Sequence, residues 1–188
     1  MPNPRAGRQM RYIPAKIQHR DDGGEPVIAC YFAVFNSPTE LWPGCIEQIA
    51  PGAFSSSLGG DVRALVDHET RLVLGRTTAG TLTLREDESG LYGEIKINPN
   101  DSDAMNLYAR VQRGDVSQCS FGFEIVSEDY IVGSDGQTCT WTIHDLILYE
   151  VSVVTFPAYE ATSAYARDSG DMASLRTARL NRRRQELL

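Results

Sequence analysis

Between Ile13 and Phe35 the chain alternates and then saturates with apolar residues, in two extended runs separated by Asp21-Asp22-Gly23-Gly24. That cluster has strong turn chemistry. The second run, Val27-Ile28-Ala29-Cys30-Tyr31-Phe32-Ala33-Val34-Phe35, is almost wholly apolar, as expected of a strand covered on both faces or lying in the core of a barrel. A loop rich in proline and glycine follows, with a short helical stretch reaching Leu58. From Asp61 to His68 the pattern alternates again, which puts Val62, Ala64, Val66 and His68 on one strand face. Val73-Leu74-Gly75-Arg76-Thr77 and Thr81-Leu82-Thr83-Leu84 predict two short strands, and Glu86-Asp87-Glu88-Ser89-Gly90 turns the chain into a strand from Leu91 to Ile97. One helix is signalled by Asp101 or Ser102 as its cap, by Ala104, Leu107, Tyr108 and Val111 at i, i+3, i+4, i+7 spacing, and by Gly114 at its end. A strand from Val116 to Val126 and a long, bent one from about Thr140 to Phe156 complete the pattern, which Pro157 stops.

Seven or so strands and one helix, joined by connections short enough for hairpins, predict an α+β, β-rich domain: a closed or nearly closed antiparallel β-barrel with packed helices. A doubly wound parallel sheet would need a helix after nearly every strand. A chain of 188 residues suits one such domain. Residues 13–166 are expected to form it, with a disordered basic N-terminal arm at 1–12 and a basic C-terminal tail at 167–188.

Charge sharpens this division. The net charge of -7 combines +5 over residues 1–20, +4 over residues 176–188 and -16 over the body between. An acidic body has the wrong sign for tracking phosphates, which argues against a nucleic-acid partner. No apolar run is long enough for a membrane-spanning helix, and the N-terminus does not read as a secretory signal, so a cytosolic protein is expected. The four cysteines, Cys30, Cys45, Cys119 and Cys139, form no metal-ligand spacing and read as buried free thiols, although their number also allows disulfides. No metal or cofactor is implied.

The candidate chemistry lies on three separated elements. Around Gln118-Cys119-Ser120-Phe121-Gly122-Phe123, strand parity puts Cys119, Phe121, Phe123 and Ile125 on a core face, and Ser120 and Gly122 on the other. Ser120 is therefore the candidate nucleophile, Gly122 is expected to leave space for an extended substrate, and Cys119 points away. His68, at a strand end between Asp67 and Glu69, is the candidate base, imidazole being the side chain that ordinarily titrates near neutrality. Glu150 shares parity with Leu146, Leu148, Ser152 and Val154, and a carboxylate on an apolar face requires a partner. His68 would suit it, with an arginine ion pair as the plain alternative and His144 as a competing histidine. Each residue alone also has a structural reading: a small polar residue on a strand, an exposed turn residue, an ion pair.

Taken in order, Glu47-Gln48-Ile49-Ala50-Pro51-Gly52-Ala53-Phe54, Val66-Asp67-His68-Glu69, Leu74-Gly75-Arg76, Ser89-Gly90-Leu91, Ser120-Phe121-Gly122-Phe123 and the segment from Leu148 to Tyr159 resemble the HK97-type prohead proteases of tailed phages, the capsid maturation serine proteases. The resemblance implies a barrel like that of the herpesvirus assembly proteases. It also implies a serine endopeptidase that works inside the procapsid in the host cytoplasm, cleaving the scaffold segment of the major capsid protein and also itself. Restraint until assembly would fit a homo-oligomer. Ser120 corresponds to the nucleophile and His68 to the base, and Glu150 is assigned as third member, with His144 or Ser152 as alternatives. The Gly75-Arg76 turn is a candidate for the oxyanion site. A non-catalytic capsid assembly or scaffolding protein retaining the barrel is the competing function, and a cysteine hydrolase using Cys119 a third.

Overall fold

The computed structural model describes residues 5, 7–14, 17–22 and 25–156. Among these residues the order is β1 (Arg8–Pro14), β2 (Gln18–Asp22), β3 (Glu25–Val34), β4 (Thr39–Trp42), β5 (Cys45–Ile49), β6 (Arg63–Val66), β7 (Glu69–Arg76), β8 (Leu82–Glu86), β9 (Gly90–Lys96), α1 (Ser102–Arg113), β10 (Gln118–Val132) and β11 (Cys139–Val154). The helix forms as its sequence signals: the Asp101 carboxylate accepts from the backbone N–H groups of Asp103 and Ala104, Ala104, Leu107, Tyr108 and Val111 are buried, and Gly114 closes it at φ 84°. The run from Val27 to Ala33 is buried at every position except Tyr31, as its apolar saturation requires.

The strands form two sheets. One runs β1-β10-β11-β5-β4, with β6 paired to β11 and β7 to β6; the other runs β2-β3-β9-β8. The β-rich class with one helix is as expected, but among the described residues neither sheet closes on itself, so the hydrogen-bonded ladders do not make the expected closed barrel. Nor is the pairing all antiparallel, since β11 runs parallel to both β5 and β6. The core lies between the sheets, where Ile28, Cys30 and Phe32 of β3 meet Cys119, Phe121 and Phe123 of β10. Cys30 and Cys119 are free, and their sulfurs lie 3.0 Å apart. Cys45 and Cys139 are joined in a disulfide across the parallel β5–β11 pair, which corrects the reading of all four as thiols.

Several segments depart from their sequence patterns: residues 39–42, read as loop, form β4, and the stretch before Leu58 forms turns where a short helix was expected. Residues 45–49, read as loop, form β5, whose burial alternates as Cys45, Glu47 and Ile49 turn inward. A glutamate on the inward face disguised that alternation. Residues 8–12, assigned to a disordered arm, join residues 13–14 in β1, an edge strand antiparallel to β10 with Tyr12 opposite Ser120 and Arg11 opposite Phe121. The charge of this arm is spent internally. Arg5 and Arg11 both bind the Glu47 carboxylate, Arg11 Nη2 at 2.8 Å from Oε2, and Arg5 also reaches Glu128 at 2.9 Å. Arg5 stacks over Trp141 and Arg11 over Phe123. Arg5, Arg11 and Glu47 are all buried. The tail 167–188 lies outside the described residues.

Burial alone would raise the Glu47 carboxyl, but the guanidinium groups of Arg11 and Arg5 more than offset it and hold it below the usual carboxylate range. Its charged form therefore stabilises the fold above the unfolded value, about 4.3, and that contribution is lost as pH falls through the lower folded value. Replacing Glu47 with Gln takes from buried Arg11 its carboxylate partner and leaves Arg5 with Glu128. Urea denaturation is expected to show Glu47→Gln destabilised by about 3 kcal/mol at neutral pH, with a shallower loss of stability as pH falls below the unfolded carboxylate value of about 4.3. An unchanged acid profile would remove Glu47 from this role.

Candidate active site

The site lies on the face of the seven-stranded sheet opposite the inter-sheet core. On β10 the register opposes Ser120 to Ser152 and Gly122 to Glu150 of β11, so these four positions share a face, while Cys119 faces Val153 and Phe121 faces Val151 among the core residues. Cys119 is fully buried in that core against Cys30, away from Ser120. Its parity reading is thus borne out, and so is that of Phe121 and Phe123.

Glu150 reaches this face by a device that strict alternation does not foresee. Phe123 is opposite Leu148, whereas its neighbour Gly122 is opposite Glu150, and the register shifts between them. Adjacent residues of β10 point to opposite sides, so Leu148 and Glu150 must do so as well, although they are two apart. Tyr149 occupies the extra position of the bulge. Leu148 stays in the core, and Glu150 turns to the serine face, not to a face shared with Leu146 and Leu148 as the periodicity predicts.

His68 makes a corresponding departure. Parity with Ala64 and Val66 would aim it at the core, but it is not a strand residue. Val66 pairs with Glu69, and the two residues between them, Asp67 and His68, have φ of 47° and 62°. Positive φ at both central residues is the signature of a type I′ hairpin turn. It carries the imidazole to the Glu150 side, where its side chain is 11% exposed.

There Glu150 Oε1 lies 2.7 Å from His68 Nδ1 and 3.3 Å from Arg8 Nη2, and Oε2 accepts a 2.6 Å hydrogen bond from Ser152 Oγ. Ser152 Oγ is 3.4 Å from His68 Nδ1. Glu150 is 2% exposed, so both the histidine and the arginine readings of its partner are correct, and three donors compensate one buried carboxylate. An Nδ1–H donated to Glu150 leaves Nε2 as the basic nitrogen. His68 Nε2 and Ser120 Oγ are both buried and without hydrogen-bond partners among the described residues, and they are not bonded to each other in this structure. Ser120 is the cross-strand neighbour of Ser152, which touches the imidazole.

Gly122 serves a purpose different from the one its position suggests. A Cβ built there would overlap Glu150 Oε1 and press on the Arg8 guanidinium at 3.0 Å, so the missing side chain makes room for the carboxylate and not for a substrate. The Gly75-Arg76 turn also has another occupation: the Arg76 N–H donates to Thr81 Oγ1, and Gly75 packs on the Thr81 carbonyl. His144 is exposed and bonds Asp129 at 2.9 Å, on the other half of the hairpin.

Sequence reasoning missed Arg8 and Tyr12. Tyr12 stands opposite Ser120 on β1 and meets the His68 ring edge-on, with centroids 5.4 Å apart. Burial, and then the charges of Glu150 and Asp67, push its phenol above its ordinary range, so it stays neutral here. Arg8-Gln9-Met10-Arg11-Tyr12-Ile13-Pro14 has no apolar alternation to announce a strand, because both of its faces carry an arginine bound to a buried glutamate.

Comparison with known proteins places this geometry in context. The prohead protease of Enterobacteria phage HK97 is 31% identical over 172 residues, an alignment covering 89% of this chain and 72% of that protein. The solved capsid assembly protease of bacteriophage T4 superposes with a TM-score of 0.49 at 9% identity, covering 80% of this chain and 99% of that one. The family described as caudovirus prohead serine protease matches residues 14–174, which include β2 to β11 and all three of Ser120, His68 and Glu150, and the chain belongs to that family.

Proposed function

We propose that Ser120, His68 and Glu150 act as nucleophile, base and orienting carboxylate of a serine endopeptidase. Family membership gives the chain a protease role in phage capsid maturation, and the proposal concerns how that role is carried out. The observation that supports it most is the 2.7 Å contact between His68 Nδ1 and Glu150 Oε1, with Nε2 and the Ser120 hydroxyl both buried and, among the described residues, unpaired, and with Ser120 opposite the Ser152 that touches the imidazole. A carboxylate that accepts from one ring nitrogen holds the imidazole in the tautomer whose other nitrogen can take a proton.

In this reading His68 Nε2 removes the Ser120 proton, the alkoxide attacks a peptide carbonyl, and the imidazolium returns the proton to the leaving amine. Glu150 stabilises the imidazolium, helped by the hydroxyl of Ser152 on its other oxygen. Arg8 shares Oε1 with His68 and holds the carboxylate from its other side. Closing the gap between Ser120 Oγ and Nε2 belongs to substrate binding, since catalytic hydrogen bonds commonly tighten only in the loaded enzyme. The substrate is the major capsid protein at its scaffold segment, with the protease itself as a second target, inside the procapsid in the host cytoplasm.

Co-expression with the cognate capsid protein tests this. The wild type is expected to yield a shortened capsid band, and Ser120→Ala none. Glu150→Gln is expected to lower kcat about 10⁴-fold with little change in melting temperature. Equal processing by Ser120→Ala would eliminate the serine mechanism in favour of a non-catalytic assembly role or another nucleophile. Gly122→Ala, by displacing the Glu150 carboxylate, is expected to lower kcat about 100-fold while substrate binding is retained. Full activity in that variant would show that the carboxylate position is not critical.

A further inference from the structure

We propose that Asp67 is a positioning residue for His68, acting through a clamp on Thr155. The inference rests on His68 being the base, as proposed above. His68 sits in a two-residue turn in which both it and Asp67 adopt the left-handed conformation, at φ 62° and 47°. Asn, Asp and His tolerate this region better than other side chains that bear a Cβ, but they still adopt it against a local preference. Such a turn persists only when its surroundings hold it.

The surroundings here are specific. Asp67 Oδ1 accepts from the Thr155 N–H at 2.7 Å, Oδ2 accepts from Thr155 Oγ1 at 2.8 Å, and the Asp67 N–H donates to the Val153 carbonyl at 3.0 Å. Both carboxylate oxygens and the backbone amide of Asp67 are thus committed to the end of β11. That strand also supplies Glu150 and Ser152, the two groups against which the imidazole is set. Parallel pairing of β6 with β11 ends at Val66 opposite Val153, one residue before the turn begins. From there the Asp67 clamp carries the registry of the two strands onward into the turn. The imidazole and the carboxylate it faces are then located from one strand, and the His68–Glu150 distance does not depend on the hairpin's own stiffness. Asp67 touches neither His68 Nε2 nor Ser120, so its effect is on placement and not on the proton transfer itself.

The test uses Asp67→Gly and Asp67→Asn in the full-length chain. Glycine adopts positive φ freely, so Asp67→Gly removes the clamp without adding backbone strain. Asparagine tolerates the conformation and retains an acceptor for the Thr155 N–H, with an amide that can donate to Oγ1. Expected for Asp67→Gly are a melting temperature close to wild type, a roughly 30-fold lower kcat with KM nearly unchanged, as a sub-ångström misplacement would produce, and loss or broadening of the downfield His68 Nδ1–H resonance. Asp67→Asn is expected to restore most of both readouts. Should Asp67→Gly fold poorly, Thr155→Val, which deletes only the hydroxyl bond, is expected to give a smaller loss of the same kind.

Wild-type kcat and an unchanged His68 resonance in Asp67→Gly, or in Thr155→Val where the glycine variant does not fold, would overturn the clamp. The parent reading has its own control. If His68→Gln retains activity, the base assignment falls and takes the catalytic consequence of the clamp with it. If His68→Gln is inactive while Asp67→Gly is normal by both measures, the clamp alone falls.

Discussion

A carboxylate with 2% exposure, facing away from the core on a sheet that is otherwise serine and glycine at that point, is the constraint around which this site is organised. Glu150 cannot remain charged there without donors, and the cost of leaving a buried ion uncompensated is several kcal/mol. The donors come from three elements: a hydroxyl two residues along its own strand, an imidazole from the β6–β7 turn and a guanidinium from β1. The space comes from a fourth, the missing side chain of Gly122 on β10. Every one of these groups touches the Glu150 carboxylate, so they form one connected network.

The N-terminal strand is bound to the sheet on both faces by the same kind of interaction. Arg8 points to the site face and binds Glu150, and Arg11 points to the core face and binds Glu47, with Arg5 reinforcing the latter. Successive side chains of a strand alternate, so an odd spacing between two arginines is what allows one short edge strand to compensate two buried carboxylates on opposite sides of a sheet. A segment that reads as a solvated basic arm is thereby an integral edge of the fold. Arg5, Arg8 and Arg11 each pair with an internal acid.

Placement of the histidine depends on a mixed sheet. β6 runs parallel to β11 and then reverses through a left-handed turn, so the side chain that follows the strand is delivered beside β11 at the level of Glu150 and Ser152. The other parallel pair, β5 with β11, carries the Cys45–Cys139 disulfide farther along the same strand. β11 is therefore the common reference for the site face, the disulfide and the core, and its bulge at Tyr149 lets one strand present Leu148 to the core and Glu150 to the site.

Much of this was legible in the residues. Local signals determined the helix with its Asp101 cap and Gly114 stop, the apolar β3, and the parity that puts Phe121 and Phe123 in the core and Ser120 opposite, because each depends only on neighbours a few positions away. The order of the serine, histidine and glutamate segments carried the family. What the chain alone did not determine is which face His68 and Glu150 occupy, since a bulge and a turn with positive φ each reverse strict alternation and are selected by pairing with distant strands. Nor could it show that β1 and β5 are strands, whose inward arginine and glutamate look polar until each is seen beside the other. Alternation is a property of one strand, but compensation of a buried charge is a property of two, and only the folded sheet brings both halves together.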